Sequence, residues 1–268
     1  MADGRVVLVT GASSGFGKVV ASLLGERGFR VFGTSRQPVR AREDGFEMLP
    51  LDVDSDRSVD ACISAVMGKA GKVDVLVNNA GYALTGGLEE VSLAEAKAQF
   101  ETNFFGVVRT TKAVLPSMRQ RRSGQVINMG SIAGTVPVPF EGFYAATKAA
   151  LFAYSEALRH EVKGFNIKVS VVQPGFFRTN LGNARKMAAE TIEAYDGMRR
   201  RTLSRLERHL EEGADPKIVA EAVLRIIESP SPRLKYVVGR ERRYLFLKKI
   251  TPASRFESAV RAHWQLEE

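Results

Sequence analysis

The length, composition and charge of the chain exclude several classes of protein. With 268 residues, 44% hydrophobic and 26% charged, the chain has the composition of a soluble globular protein with one large domain or two small ones. No apolar run approaches the roughly 20 residues that cross a bilayer, and residues 1–15 lack the layout of a secretory signal peptide. The formal net charge of +9 leaves an anionic partner open.

The cysteine and histidine content argues against a disulfide or a metal centre. Cys62 is the single cysteine and has no partner for an internal disulfide, so a reducing, cytoplasmic location is expected. The three histidines, His160, His209 and His263, are scattered without metal-ligand spacing. We therefore predict no metal site.

Short β-branched runs alternate with longer amphipathic segments along the first two-thirds of the chain. Strands are predicted at 5–10, 30–35, 46–53, 73–80, 124–130 and 167–174, with a last one at 236–239. Helices are predicted near 15–27, 55–70, 92–118 and 142–163. Several strands are almost continuously apolar, as expected for a parallel sheet covered on both faces. This alternation predicts a single-domain α/β Rossmann fold with a doubly wound, mostly parallel, seven-stranded sheet flanked by helices.

The alternation of predicted strands and helices ends at about residue 181. The following segment is charged and is predicted to be helical and free of strands, and Asp215-Pro216 is predicted to open a further helix that ends near Glu228. No Gly/Ser-rich or Pro-rich linker separates the two regions, so residues 1–268 are interpreted as one domain. Residues 240–268 form a basic C-terminal extension of it.

The C-terminal part of the chain concentrates positive charge. Residues 233–255 contain eight basic residues and one acid, Glu241. Such a segment can bind nucleic acid or an anionic membrane surface, or it can be a solvated face. Because no nucleic-acid-binding module accompanies the charge, we favour the solvated face and expect no nucleic-acid partner. Peripheral membrane contact stays open as the less favoured alternative.

A glycine-rich turn follows the first predicted strand. Gly11, Gly15 and Gly17 lie between a buried strand and an amphipathic helix, in the spacing G-x-x-x-G-x-G. Glycine lets the backbone turn sharply and approach a pyrophosphate, while the helix N-terminus presents its N–H groups to the anion. The turn therefore favours a dinucleotide-binding site, and a tight turn without a ligand is the alternative.

The ends of the second and third strands bear on the choice of dinucleotide. An acid at the end of the second strand would accept the ribose 2′-hydroxyl of NAD, but this chain has Ser35 followed by Arg36. A guanidinium can pair with a 2′-phosphate, so NADP(H) is preferred over NAD(H). A surface arginine without a partner is the alternative for Arg36. Asp52, at the end of the third strand, is placed to meet the adenine edge.

Tyr144 and Lys148 lie four positions apart on the helix predicted at 142–163. That spacing puts both side chains on one face. A tyrosine with a pKa near 10 is a poor acid or base at neutral pH, and a neighbouring ammonium lowers that pKa toward the working range. Ser131, thirteen residues before Tyr144, follows a predicted strand and would reach the same space. A surface pair and a core helix with two polar tips are the alternatives.

Taken together, these motifs closely resemble the short-chain dehydrogenase/reductase family. They fall in the family's order and spacing over about residues 5–181, and the longer C-terminal end is most similar to the branch of 17β-hydroxysteroid and retinol dehydrogenases. The matching stretches are TGASSGFG (10–17), LDV (51–53), NNAG (78–81), NFFG (103–106), Ser131, YAATK (144–148) and PGFFRT (174–179).

The resemblance implies four catalytic residues. Tyr144 would be the general acid for carbonyl reduction and the general base for alcohol oxidation. Lys148 would hold the nicotinamide ribose and depress the pKa of the tyrosine. Ser131 would hydrogen-bond the substrate oxygen, and Asn103 would hold the water that links Lys148 to solvent.

The resemblance also implies a cofactor-binding set, to which the strand ends above contribute Arg36 and Asp52. Ser13 would lie near the 2′-phosphate, residues 79–81 would flank the ribose, and residues 174–179 would close over the nicotinamide. The full set is Gly11, Ser13, Ser14, Gly15, Phe16, Gly17, Arg36, Asp52, Val53, Asn79, Ala80, Gly81, Tyr144, Lys148, Pro174, Gly175, Phe177 and Thr179.

The family likeness extends to the substrate and to the assembly. Residues 182–213 would form a helical substrate lid, and an apolar pocket is expected from Phe140, Phe143, Phe176 and Phe177. The expected activity is NADP(H)-dependent hydride transfer to or from a hydrophobic ketone, aldehyde or secondary alcohol. A catalytically silent dinucleotide sensor or scaffold of the same fold is the alternative. Residues 149–158 would pack against a second copy, in a homodimer or homotetramer.

Overall fold

The structure is a computed structural model that describes residues 4–37, 42, 43, 45–179 and 185–267, with residues 42 and 43 described by their backbone alone. The first three residues of the expected lid, 182–184, and the terminal residue 268 lie outside the described residues.

A large, mostly parallel sheet forms the centre of the molecule. Its order is β10-β8-β7-β5-β1-β2-β4-β3, and only the two-residue edge strand β3 runs antiparallel to its neighbour. The seven parallel strands confirm the predicted α/β fold with its doubly wound sheet. The strands of the described chain are β1 Val6–Val9, β2 Arg30–Ser35, β3 Arg42–Glu43, β4 Phe46–Pro50, β5 Val75–Asn78, β6 Ala83–Thr85, β7 Gly124–Met129, β8 Ile167–Pro174, β9 Arg185–Met187 and β10 Lys235–Val238.

Helices cover both faces of the sheet and create two hydrophobic cores. Consecutive residues of a strand point to opposite faces, so Val7 packs in the core beneath α1 and α7, whereas Leu8 packs in the core beneath α2, α4 and α5. The helices of the described chain are α1 Gly15–Glu26, α2 Asp56–Ala70, α3 Leu93–Phe100, α4 Gly106–Arg121, α5 Gly142–Val162, α6 Asp196–Glu211, α7 Lys217–Glu228, α8 Arg242–Ile250 and α9 Ala253–His263.

The order of the strands places a crevice at one edge of the sheet. β1 lies between β2 and β5. The strands that follow β2 are added on one side of β1, and those that follow β5 are added on the other side. At such a switch point the connections leave on opposite faces, which opens a crevice at the carboxyl ends of the strands. The glycine turn after β1 lies in it.

Two predictions about secondary structure differ from the structure. The helix predicted at 92–118 is divided into α3 and α4 by a π-helical segment, Glu101–Phe105. The prediction that the segment after residue 181 is free of strands is wrong, because β9 pairs in parallel with β6. A three-residue strand that pairs with a segment a hundred residues away leaves no local periodicity to detect.

The C-terminal helices pack back onto the domain. Trp264, which follows α9, is 5% exposed and shares a small apolar cluster with Leu206 of α6 and Val138. Among the described residues, no helix is both long and apolar enough to cross a membrane.

Candidate active site

The glycine turn packs tightly against the neighbouring strand end. Gly11 has a φ of +67°, and a Cβ there would lie 2.9 Å from the Cα of Ala80. A Cβ on Gly17 would lie 2.2 Å from the carbonyl oxygen of Gly11. By contrast, a Cβ on Gly15 would meet nothing within 4 Å. Gly11 and Gly17 thus permit close packing of the turn, and Gly15 faces open space.

Thr10 and Asn79 hold this turn in place. The hydroxyl of Thr10 accepts hydrogen bonds from the backbone N–H groups of Asn79, at 2.9 Å, and Ala80, at 3.0 Å. The Asn79 side-chain amide in turn donates to the carbonyl oxygens of Thr10 and Gly11. Thr10 opens the stretch TGASSGFG but is not among the predicted site residues.

A cavity of about 560 Å³ follows the carboxyl edge of the sheet. It brings together most of the residues predicted from the sequence, from both the cofactor set and the catalytic set. Those that line it are Gly11, Ser13, Ser14, Gly15, Phe16, Arg36, Asp52, Val53, Asn79, Ala80, Gly81, Ser131, Tyr144, Lys148, Pro174 and Gly175.

Four predicted residues, Gly17, Asn103, Phe177 and Thr179, do not line the cavity. Gly17 packs on the glycine turn, as described above. Phe177 is fully buried in the core, with its ring edge-on to that of Phe16 at 5.5 Å between centroids. The hydroxyl of Thr179 is buried and has no hydrogen-bond partner within the described part of the chain. Gly17 and Phe177 thus lie behind the lining, against the glycine turn and Phe16, and their contact with a cofactor stays a prediction.

Tyr144 and Ser131 both line the cavity, and the Ser131 hydroxyl is close enough to the phenol to influence its pKa. Burial raises the pKa of Tyr144 to about 12, the negative charge of Glu141 adds to this, and the Ser131 hydroxyl and the charge of Arg185 act in the opposite direction. This direction is opposite to the predicted lowering by Lys148. In the protein alone, desolvation of the phenol is the larger effect.

Lys148 is buried one turn after Tyr144. Its Nζ donates to the carbonyl oxygen of Met129 at 2.9 Å and lies 5.7 Å from the centroid of the Tyr144 ring. Burial lowers the pKa of Lys148 to about 8. The carbonyl at the end of β7 therefore orients the amine beside the tyrosine.

Asn103 lies in the π-helical segment and faces the backbone of Tyr82. Its Oδ1 accepts from the Tyr82 N–H at 3.0 Å, and its Nδ2 donates to the Tyr82 carbonyl at 2.9 Å and to the Thr147 hydroxyl at 3.3 Å. The Thr147 hydroxyl donates to the carbonyl oxygen of Tyr144 at 2.7 Å. Asn103 is thus coupled to α5 through Thr147 instead of opening directly into the cavity.

A buried ion pair next to Tyr144 was missed by the sequence analysis. Glu141, at the start of α5, is 5% exposed and pairs with Arg185 of β9 at 3.2 Å. The Thr85 hydroxyl of β6 lies 3.5 Å from the same carboxylate oxygen. Burial raises the pKa of Glu141, while Arg185 opposes the shift. The pair connects β9 to the start of α5.

Comparison with known proteins identifies the family. Residues 5–190 match the short chain dehydrogenase family. The chain belongs to the short-chain dehydrogenase/reductase family. A 3-ketodihydrosphingosine reductase from Bacteroides thetaiotaomicron is 41% identical over 91% of each chain.

Solved structures of this dehydrogenase family share the fold. A short-chain dehydrogenase from Streptomyces avermitilis superposes with a TM-score of 0.82 and 37% identity over 97% of each chain. The closed form of a serine dehydrogenase complexed with NADP+ superposes with a TM-score of 0.76 and 28% identity, over 87% of this chain and 94% of that one. Members of the family thus bind a nicotinamide dinucleotide in this fold.

The cavity of this dehydrogenase suits such a dinucleotide. Gly15 opens onto free space, and Ser14, the N-cap of α1, makes no side-chain hydrogen bond to the first turn. The Ser35 hydroxyl is buried with no partner among the residues described. The helix N-terminus suits a pyrophosphate, and the hydroxyl suits a ribose. The exposed Arg36 follows at the mouth.

The expected phenylalanine pocket is not found around Tyr144. None of the four predicted aromatic residues lines the cavity, although all four are described. Phe140 meets Tyr195 edge-on, Phe176 stacks on His209 at 5.0 Å, and Phe143 packs near Leu84. Instead, Tyr82 and Lys186 line the cavity, with the Lys186 ammonium 4.6 Å from the centroid of the Tyr82 ring. Phe140, Phe176 and Phe177 lie outside the helices and strands, where the direction of a side chain depends on packing with distant segments, so composition alone misled the prediction.

Proposed function

We propose that the protein is an NADP(H)-dependent oxidoreductase that transfers a hydride between nicotinamide C4 and a hydrophobic ketone, aldehyde or secondary alcohol. The observation that carries the proposal is the position of Ser131, Tyr144 and Lys148. They lie in the same cavity as the glycine turn and Arg36. A binding protein without turnover has no need for a hydroxyl pair and an amine at the inner end of its cofactor cleft.

The bound nicotinamide would supply or accept the hydride. Ser131 and Tyr144 present two hydroxyl groups to one side of the cavity, where a carbonyl oxygen would accept both hydrogen bonds. A phenol with a pKa raised to about 12 stays protonated at neutral pH, so Tyr144 holds the proton that the oxygen takes up during reduction. In oxidation the Tyr144 phenolate, formed after the phenol has lost its proton, would accept the proton of the alcohol.

Lys148 would orient the nicotinamide ribose and stabilise the phenolate that forms when Tyr144 gives up its proton. With its pKa lowered to about 8, its amine is also able to exchange protons near neutral pH. Asn103 would position α5 through Thr147 and hold the water that connects Lys148 with solvent.

Arg36 supports the preference for NADP(H). It lies at the cavity mouth beside Ser35, and no acid occupies the end of β2. A guanidinium forms charge-assisted hydrogen bonds with a phosphate that it cannot form with a ribose hydroxyl. Ser13, on the same rim, would add a hydrogen bond to that phosphate.

The substrate proposal is supported by the relative that acts, by its name, on 3-ketodihydrosphingosine. We extend its chemistry, reduction of a ketone on a lipid-like molecule, to this chain. In this proposal residues 182–213 close over the substrate, and residues 240–268 extend the single domain.

We further propose a cytoplasmic homodimer or homotetramer with no nucleic-acid partner. The buried free thiol of Cys62 is consistent with a reducing compartment. Alanines of α5 at helical spacing, Ala146, Ala149, Ala153 and Ala157, are exposed. Such a face allows two helices to approach closely.

The decisive experiment follows the absorbance of NADPH and NADH during turnover with a panel of ketones, aldehydes, steroids and quinones that includes 3-ketodihydrosphingosine. We expect turnover with NADPH and a hydrophobic carbonyl compound. If neither dinucleotide binds, the proposal is wrong as a whole. If a dinucleotide binds but no substrate of any class turns over, the protein is a sensor or scaffold.

A substitution of Arg36 tests the preference for NADP(H). Arg36→Ala should lower kcat/KM for NADPH by about ten-fold or more, because a charge-assisted contact is lost, and should leave the value for NADH unchanged. Arg27→Ala, at the exposed C-terminal end of α1, is the matched control. A wild-type preference for NADH would overturn the assignment of Arg36.

A further inference from the structure

The outward face of α8 carries three large apolar side chains. Phe246 is 64% exposed, Leu247 43% and Ile250 58%. Phe246 and Ile250 are one helical turn apart and Leu247 adjoins them, so they form one ridge. Single exposed apolar residues are ordinary on a protein surface, but three on one short helix form a contiguous patch.

The opposite face of α8 is attached to the domain. The Lys248 ammonium donates to the carbonyl oxygen of Thr135 at 2.5 Å. The ring of Tyr244 meets that of His263 edge-on at 5.9 Å between centroids. The apolar ridge is therefore held outward by packing on the inner side of the helix.

Positive charge surrounds the ridge. Arg242, Arg243 and Lys249 are exposed on the same helix, and residues 242–256 contain no aspartate or glutamate. Arg243 leans over the Tyr244 ring, whereas Arg242 and Lys249 make no ion pair within the described ranges. A basic helix with an outward apolar ridge is the pattern of a helix that lies in the interface of an anionic bilayer.

We propose that α8 docks on the surface of an anionic lipid bilayer. Phe246, Leu247 and Ile250 enter the boundary between headgroups and acyl chains, while Arg242 and Lys249 contact lipid phosphates. A nucleic acid would pair with the charges but would leave the apolar ridge in water. The apolar residues therefore favour a lipid surface. The proposal is independent of the oxidoreductase function, because it uses no residue of the cavity.

The docking helix lies next to the cavity. Glu241, the residue before α8, is so close to Gly175 that a Cβ there would lie 1.9 Å from its carboxylate oxygen. Gly175 lines the cavity. Docking through α8 would therefore hold this wall of the cavity close to the bilayer.

The test is sedimentation of the full chain with vesicles of phosphatidylcholine alone or mixed with phosphatidylglycerol. We expect binding to the mixed vesicles that weakens as salt is raised. Both Arg242→Glu/Lys249→Glu and Phe246→Ser/Leu247→Ser/Ile250→Ser should weaken it by about ten-fold or more. Matched controls on α7 are Lys217→Glu/Arg225→Glu and Ile218→Ser, which alter exposed residues on a different helix. These should bind as the wild type does.

Several outcomes would overturn the proposal. One is failure of the wild type to bind mixed vesicles, and another is equal loss in the α7 controls. Binding that survives the three serine substitutions while heparin competes for it would mean a general polyanion site. A change in the oligomeric mass of the serine variant, without a change in vesicle binding, would mean that the ridge faces a second copy. Circular dichroism and the thermal unfolding midpoint verify that each variant is folded.

Discussion

Tyr144 and Lys148 share one face of α5 but have different neighbours. The Tyr144 hydroxyl meets Ser131, and the Lys148 ammonium meets the Met129 carbonyl. Burial shifts both side chains toward their neutral forms, which raises the pKa of the phenol and lowers that of the amine. Without a bound cofactor, the protein thus holds a protonated phenol beside an amine that titrates near pH 8.

Removal of the Tyr144 hydroxyl tests the proton donor. Tyr144→Phe should lower kcat by about a hundred-fold or more, because general acid catalysis is lost, and leave dinucleotide binding unchanged. Steady-state turnover and quenching of protein fluorescence by NADPH measure the two quantities. Tyr154→Phe, ten positions further along α5 in the core, is the control and should keep its activity. Near-normal turnover of the Tyr144 variant would disprove the assignment.

The lowered pKa of Lys148 predicts a pH dependence of stability. Between about pH 8, where the buried amine loses its proton, and 10.5, the ordinary pKa, the unfolded chain binds more protons than the folded one. The free energy of unfolding should therefore rise with pH across this window by about 3 kcal/mol relative to Lys148→Met. Urea denaturation of both proteins at several pH values measures the difference. A difference that stays flat with pH would mean that Lys148 is not desolvated.

Three segments from distant parts of the chain converge on α5. The π-helical segment contacts α5 through Asn103 and Thr147, β9 contacts it through Arg185, and β7 contacts it through the Met129 carbonyl. A π-helical turn widens the helix by one residue, and such turns are frequent at functional sites. Here it directs Asn103 inward between α3 and α4.

The Glu141–Arg185 pair should couple β9 to α5 energetically. Glu141→Gln leaves the arginine charge buried without its partner and should lower the free energy of unfolding by about 3 kcal/mol. Arg185→Met should have a comparable effect, and the double variant should lose less than the sum of the two. Additive losses would show that the pair is not coupled. Lys69→Gln, which breaks the more exposed pair with Glu47, is the control and should cost less than about 1 kcal/mol.

At the scale of the whole molecule, the sheet carries two cores and leaves one face of α5 exposed. The exposed alanines of that helix lie opposite the residues that pack on the sheet, such as Leu151 and Leu158. A face of small side chains admits a second copy of the helix at close distance. The proposed homodimer or homotetramer uses this face.

A large charged side chain on the alanine face should dissociate the assembly. Ala153→Arg should convert the dimer or tetramer to a monomer, because two copies of the guanidinium would meet at the interface. Sedimentation velocity measures the mass. Ala61→Arg, at an exposed position of α2, is the matched control and should keep the mass of the wild type. A wild type that is already monomeric at micromolar concentration would contradict the proposal.

The parallel sheet, the glycine turn and the grouping of Ser131, Tyr144 and Lys148 could be predicted from local sequence patterns. These features leave local patterns in the sequence. A strand that is buried on both faces is continuously apolar, and where close packing leaves no room for a Cβ only glycine fits. The order of the βα units then brings their carboxyl ends to one crevice, so most of the predicted site residues line the same cavity.

Which side chains face that cavity depends on contacts between distant segments and could not be predicted from the sequence. Phe177 turned into the core and Phe176 onto His209, while Lys186 reached the cavity from a strand that no pattern predicted. Each of these positions depends on contacts between segments far apart in the chain, such as β6 with β9 and α6 with α9. The raised pKa of Tyr144 also depends on the tertiary structure, because every group packed around the phenol contributes to its desolvation. The spacing along α5 identifies only one of these neighbours, the lysine four residues away.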